Sequence, residues 1–339
     1  MRLTSIALAL CLVSAPACAQ AQESAPFYRG KTIRIVISTG VAGGYAEYAR
    51  VIAEHMGRHI AGNPGFIVQS MPGAGGLQAA NYLFAQAPQD GTTIGLIHSS
   101  VPLAPLFGAQ GARFDPLKIH WIGSMDRSDG PCTAWHTSPA WTWADMLSKE
   151  MTVGSSGAGS QMETYPAILN KLFGTKIKVI AGYKDGVAVY IAMERGELDG
   201  RCGGQLTVIK STRPHWLTER KIAVPILIAQ KRSPEFPDTP TVMEFVKDEP
   251  TRQQLDLVML TQGLDRPVML PPGVPAERVR ELRAAFDATM ADPAFRADIE
   301  RRSLHVDPVR GEEMAKAFER AFALPPEVIA GAREMMAGR

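Results

Sequence analysis

Short apolar runs of strand length alternate along the chain with longer segments whose apolar residues recur every three or four positions. The runs at 33–38, 65–69, 93–97, 151–154, 176–180 and 223–229 predict β-strands. The segments 45–59, 77–87, 161–173 and 186–195 carry helical spacing instead. Each such helix follows a strand and a loop, which predicts an α/β protein with largely parallel sheets. No internal repeat or low-complexity tract interrupts the pattern.

Three of the loops after strand-like runs are rich in glycine: Gly40-Val-Ala-Gly-Gly44, Pro72-Gly-Ala-Gly-Gly76 and Gly154-Ser-Ser-Gly-Ala-Gly-Ser160. Glycine lets backbone N–H groups converge on an anion without a side chain in the way, and a helix starting there adds its positive dipole end. In open α/β sheets ligands sit beyond the carboxyl ends of the strands, where the first and third loops fall. The sequence therefore reads as a chain built to hold a small anion.

Residues 1–19 have Arg2 as their one charge, an apolar stretch at 6–13, and small residues at Ala17 and Ala19, the pattern of a secretory leader cut near Ala19. A lipoprotein start at Cys18 is the competing reading, but Ala15-Pro-Ala-Cys18 lacks the usual leucine. Removing the leader takes Cys11 and Cys18 with it, leaving Cys132 and Cys202 in an oxidising compartment. A single disulfide between them is expected; two unpaired buried thiols are the alternative. About 320 residues then remain, more than one hydrophobic core usually serves, so two domains are expected.

The 36 basic residues oppose 34 acidic ones, and losing Arg2 moves the net charge from +2 to +1. No basic block marks a nucleic-acid partner, and no stretch after the leader approaches the roughly 18–20 apolar residues of a membrane span. Enzyme motifs are missing as well. None of the glycine loops reads G-x-x-x-x-G-K or G-x-G-x-x-G, and there is no G-x-S-x-G elbow. His55 and His59 stand four apart on a predicted helix, but Glu54 precedes the first, unlike H-E-x-x-H. A solvated helix face is expected for them, and no metal, cofactor or catalytic residue is assigned.

Several strings in register carry a family resemblance. Tyr28-Arg-Gly-Lys-Thr-Ile-Arg-Ile-Val36, Ala42-Gly-Gly44 ending in Tyr48-Ala-Arg50, and Met71-Pro-Gly-Ala-Gly-Gly76 before Ala87-Pro-Gln-Asp-Gly91 resemble the receptors of tripartite tricarboxylate transporters, also called Bug or TctC-like proteins. The likeness continues through Gly154-Ser-Ser-Gly-Ala-Gly159, Gly182-Tyr-Lys-Asp-Gly186, Gly196-Glu-Leu-Asp199, Arg232-Ser-Pro-Glu-Phe-Pro-Asp-Thr-Pro-Thr241 and Pro271-Pro-Gly-Val-Pro275. No one string is specific, but together they span some 250 residues in order.

The resemblance implies a two-lobed periplasmic binding protein fold, type II-like, each lobe a mostly parallel sheet flanked by helices with the ligand cleft between. It implies residues 25–127 plus 229–339 in the first lobe and 128–228 in the second. A small carboxylate would be held by Thr39, Val41, Ala42, Gly43 and Gly44 on one side, and by Ser155, Ser156, Gly159, Ser160 and Gln161 on the other. Ser99 and Ser100 stand where the family often presents polar side chains, though helix capping would explain them equally. Tyr45 is the best-placed aromatic candidate; Trp121, Trp135, Trp141, Trp143 and Trp216 read as packing residues.

Two departures from the family bear on specificity. Ala46 stands where many members have an aspartate, and Arg201 lies in an unusual Asp199-Gly-Arg-Cys-Gly-Gly-Gln205 segment, where it offers a bidentate partner for a second carboxylate, the alternative being a surface arginine or an internal salt bridge. Both lean toward carboxylates without an ammonium group. The function implied is a monomeric periplasmic receptor that delivers a di- or tricarboxylate to the membrane permease subunits of a tripartite transporter. The alternative is a sensor that presents the same ligand to a two-component histidine kinase.

Overall fold

The computed structural model describes residues 25–127, 129–157, 160–233 and 236–336, so the leader and Gly159 lie outside the described residues. Two mixed sheets organise them. The first contains β1 (Thr32–Ile37), β2 (Gly65–Ser70), β3 (Thr93–Leu96), β4 (His120–Asp126), β10 (Asp265–Leu270) and β11 (Val309–Arg310), in the order β11-β4-β10-β3-β1-β2. The second contains β5 (Pro131–Trp135), β6 (Glu150–Ser155), β7 (Lys176–Ala181), β8 (Gly200–Cys202) and β9 (Ile222–Leu227), in the order β7-β6-β8-β5-β9.

β1 pairs in parallel with β2 and β3, and β6 with β7 and β8, as the strand–loop–helix pattern predicts. The remaining ladders are antiparallel: β10 with β3 and β4, β11 with β4, and β5 with β8 and β9. They arise because the chain leaves the first sheet along β4, builds the second, and returns along β10. β10 runs opposite to both neighbours, which only antiparallel pairing allows.

Helices cover both sheets. α1 (Gly44–His55) and α2 (Leu77–Ala85) pack on the first, joined by α9 (Ala276–Ala291), α10 (Pro293–Arg301) and α11 (Gly311–Phe322) from the C-terminal part. The second carries α3 (Trp143–Ser148), α4 (Gln161–Phe173), α5 (Gly186–Glu194), α6 (Leu206–Thr212) and α7 (His215–Thr218). α8 (Glu249–Met259) and α12 (Pro326–Met336) pack on each other, and α12 also lies against α4, where Lys171 meets Glu334 at 2.9 Å.

The packing explains why these segments are helices. α1 buries Tyr45, Tyr48, Ala49, Ile52 and His55, an i, i+3, i+4, i+7 stripe set against Ile33, Ile35 and Ile37 of β1. It ends at His55, and the predicted helical segment finishes as the 3₁₀ turn Met56–His59. α4 stops at Gly174, whose φ of 71° suits the left-handed C-terminal cap. Cys132 and Cys202 face each other in the β5–β8 ladder and form the expected disulfide.

The tryptophans are packing residues as expected. Trp121 sits in the core with its indole N–H donating to the Pro116 carbonyl, and Trp135 packs edge-on against Trp216. His55 departs from its expectation of a solvated face. It is buried against Phe295, with Nε2 3.0 Å from Asp298, while His59 meets Asp292 at 3.0 Å. Glu54, His55 and Asp298 bring ligand-type atoms near one another, but the Arg302 guanidinium already bridges Glu54 and Asp298 at 2.6 and 2.9 Å. A fixed cation in that place offers an ion no vacancy.

Candidate functional site

Two helices begin at one narrow cavity of about 60 Å³ between the sheets. α1 is capped by Gly43 and α4 by Ser160, neither with a side chain satisfying the first turn. The first intrahelical bonds run from Ala46 to Gly43 and from Glu163 to Ser160, so the amides of Gly44, Tyr45, Gln161 and Met162 are left without a helical acceptor. Both N-terminal dipole ends thus face the same space, an arrangement suited to an anion.

Of the residues expected to bind, Thr39, Gly43, Gly44, Tyr45, Ser160, Gln161 and Arg201 line this cavity. Val41 and Ala42 do not; both are exposed on the outer side of the loop. Ser155 is buried behind the site, where its hydroxyl accepts from the Gly157 amide. Ser156 lines a neighbouring cavity of about 280 Å³ with the 72–76 loop, its hydroxyl buried without a partner. His98 borders both cavities.

Ser99 and Ser100 separate. Ser99 is buried: its amide donates to the Tyr45 hydroxyl at 3.0 Å and its own hydroxyl accepts from Gln161 Nε2 at 3.3 Å. Ser100 precedes the 3₁₀ turn Val101–Leu103 without a side-chain cap and lines a different cavity, beside α12. Gln161 reaches across the cleft. Its Oε1 accepts from the Gly204 amide at 3.2 Å while its Nε2 holds Ser99, so one side chain ties the second sheet's loops to the first sheet's.

The cavity's charge comes from residues far apart in sequence. Arg266 is buried at the start of β10, with Nη1 donating to both Asp265 oxygens at 3.0 and 2.9 Å and Nη2 to Gln205 Oε1 at 2.7 Å. Its guanidinium lies 4.1 Å from the Tyr45 ring centre and 5.0 Å from that of Tyr48. Burial works against its charge most strongly, but Asp265, Tyr45, Tyr48 and Asp126 together outweigh that and hold its pKa above the ordinary arginine value. Arg266 also adopts φ 58°, a strained conformation for a non-glycine residue, kept in place by these contacts.

Arg201 is the second cation. Its guanidinium lies 4.7 Å from the Tyr190 ring centre, and a Cβ at Gly186 or Gly204 would lie 2.6 Å from it, so a side chain at either position would displace the guanidinium. His98 sits edge-on to Tyr45 at 4.9 Å. Burial, helped by the nearby Arg266 charge, depresses its pKa to about 4, so it faces the cleft as a neutral imidazole able to donate and accept.

Gly186 and Gly204 also line the cavity, and Arg266, His98, Asp185, Gln205, Tyr190, Met162, Val187 and Val208 complete the lining without having been singled out as binding residues by sequence reasoning. Two of them carried a signal: Gln205 as the end of Asp199-Gly-Arg-Cys-Gly-Gly-Gln205, and, in Gly182-Tyr-Lys-Asp-Gly186, Asp185. Its Oδ1 caps α5, accepting from Val187 and Ala188 at 3.0 and 2.9 Å. Position 46 cannot contact a ligand: Ala46 is buried in the first sheet's core.

Solved structures share this architecture. The periplasmic binding protein BugD aligns with a TM-score of 0.70 at 18% identity, over 92% of this chain and 100% of that one. MatC from Rhodopseudomonas palustris, with bound malate, gives 0.69 at 18% over 89% and 99%, and a TctC solute binding protein from Polaromonas gives 0.58 at 17% over 90% and 98%. No curated protein matches the chain. The model of the tripartite tricarboxylate transporter family receptor matches residues 48–318, most of the chain's length, and the protein belongs to that family.

Proposed function

We propose that this protein is an exported periplasmic receptor that captures a small organic carboxylate between two lobes and delivers it to the membrane permease subunits of a tripartite transporter. The lobes are taken as residues 25–127 with 229–339, and 128–228. The observation that carries this reading is the Arg201 guanidinium, over the Tyr190 ring at a cavity onto which the bare N-termini of α1 and α4 open. Relatives of the same fold hold malate and adipate, both small carboxylates.

Binding is the whole chemistry of this reading. A carboxylate would accept from Arg201 and from the helix-start amides, which offer directed donors of fixed geometry. Closure is a population shift toward the form in which Gln161 spans Ser99 and Gly204. The sensor alternative needs the same binding step, and no feature of the site favours it.

The test is a thermal-shift and calorimetric screen of residues 20–339 against mono-, di- and tricarboxylates, with nucleotides as controls. Saturable stabilisation by an acid, weakened about tenfold or more in R201A, is the expected result. A flat carboxylate panel with a response only to nucleotides would overturn the receptor reading. Unchanged affinity of R201A for every acid that binds would remove Arg201 from it.

A further inference from the structure

Asp185 presents a buried negative charge to a cleft otherwise suited to anions. The residue is 2% exposed, and its Oδ2 is buried with no hydrogen-bond partner, although Oδ1 is fully used in capping α5. The carboxylate lies across the 40–44 loop, so close to Gly40 that a Cβ there would collide with Oδ2, yet no amide of that loop donates to it. It therefore does not stand in for a ligand carboxylate held by the glycine loop.

A cation lining the same cavity leaves it unsatisfied too. Arg201 packs against Gly186, the next residue along, with its Cζ 2.6 Å from where a Gly186 Cβ would be. Arg201 and Asp185 share no ion pair, and the buried Nε of Arg201 lacks a partner as well. An unpaired donor and an unpaired acceptor thus line one cavity. Each costs free energy while unmatched, and one molecule carrying both complementary charges would satisfy the two together.

We propose that the ligand of this cleft is a zwitterion: a carboxylate directed to Arg201 and the helix starts, and a protonated nitrogen directed to Asp185 Oδ2. This rests on the receptor reading and narrows its ligand class to amino-acid-like compounds. It reverses the lean drawn from Ala46, because the acidic contact missing from α1 is supplied from the opposite sheet by Asp185. A purely anionic ligand would meet the Asp185 charge in a desolvated space without relief.

Calorimetry with matched pairs tests the proposal: L-aspartate against succinate, L-glutamate against glutarate, and 4-aminobutyrate against butyrate, each with wild type and Asp185→Asn. Asparagine is an equally good N-cap, so the variant keeps α5, which its apo melting temperature verifies. In wild type the amine-bearing member of at least one pair is expected to bind about tenfold tighter or more, and D185N is expected to close that gap. The wild-type comparison stands alone if the variant fails to fold. If the acids bind as well as or better than their amine partners, the receptor reading survives and the zwitterion proposal falls. If no acid and no amino acid binds, both fall together.

Discussion

The Tyr45 hydroxyl donates to Asp265 Oδ1 at 3.0 Å, joining the start of α1 to a strand 220 residues later. Through this bond the first glycine loop is fixed to the Asp265–Arg266 pair, while the Ser99 amide donates to the same hydroxyl. Burial foremost, then the Asp265 charge, raises the tyrosine's pKa far above its ordinary value, so the hydroxyl keeps its proton and remains a donor.

Tyr45→Phe tests this joint. It removes a bond to a charged acceptor and leaves the buried Ser99 amide unmatched, while the ring and its stacking on Arg266 remain. The expected loss is about 2 kcal/mol in urea unfolding, with weaker ligand binding as the cleft wall loosens. Wild-type stability and affinity in Y45F would show that the Asp265–Arg266 pair positions itself without help.

Gln161 makes its bond to Ser99 between the two sheets' loops, a contact that cleft closure would form in the proposed receptor reading. Gln161→Ala is therefore expected to leave the melting temperature of the unliganded protein nearly unchanged. Ligand affinity should fall about tenfold, mainly through faster release in stopped-flow measurements. A variant that loses stability but not affinity would make Gln161 a folding residue rather than a closing one.

The parts of this site that were legible in the sequence are those with local causes. Gly43, Gly44 and Ser160 each stand between an apolar run and a helical pattern, so their loops and the positions of α1 and α4 followed from spacing. Arg266 was not legible. It lies in Asp265-Arg-Pro267, where the proline speaks against an interior strand, and its partners Tyr45 and Gln205 come from elsewhere in the chain. Asp185 hid differently, because half of its carboxylate does an ordinary capping task and only the placement of the other oxygen reveals more. The same limit applies to β4 and β10, whose antiparallel pairing depends on where the returning chain inserts.

The Cys132–Cys202 bond closes a loop of 70 residues within the second sheet's part of the chain. In the chain-entropy account, a loop of that size restricts the unfolded state by about 4 kcal/mol. The double variant C132S/C202S should unfold at correspondingly lower urea and still bind ligand, because neither cysteine lines the cleft. An intact midpoint in the reduced or double-serine protein would mean that the β5–β8 ladder needs no covalent support.

His98 gives the protein an acid sensitivity with a defined window. Its folded pKa is about 4, against an ordinary value of 6.5, because burial and Arg266 disfavour the imidazolium. The unfolded chain therefore binds one more proton than the native protein between these two values, and stability must rise with pH through that interval. Above pH 6.5 this penalty is absent; it grows as pH falls toward 4. Between pH 7 and pH 5 the expected loss is about 2 kcal/mol. The carboxylates of Asp145, Glu244 and Asp298, held near 2 by hydrogen bonds from Lys149, Arg232 and Arg302 respectively, lose their contributions at lower pH. Urea midpoints at pH 7 and pH 5 for wild type and His98→Asn separate the effects. The variant should lack most of the wild-type decline, and an equal decline in both proteins would place the acid sensitivity elsewhere.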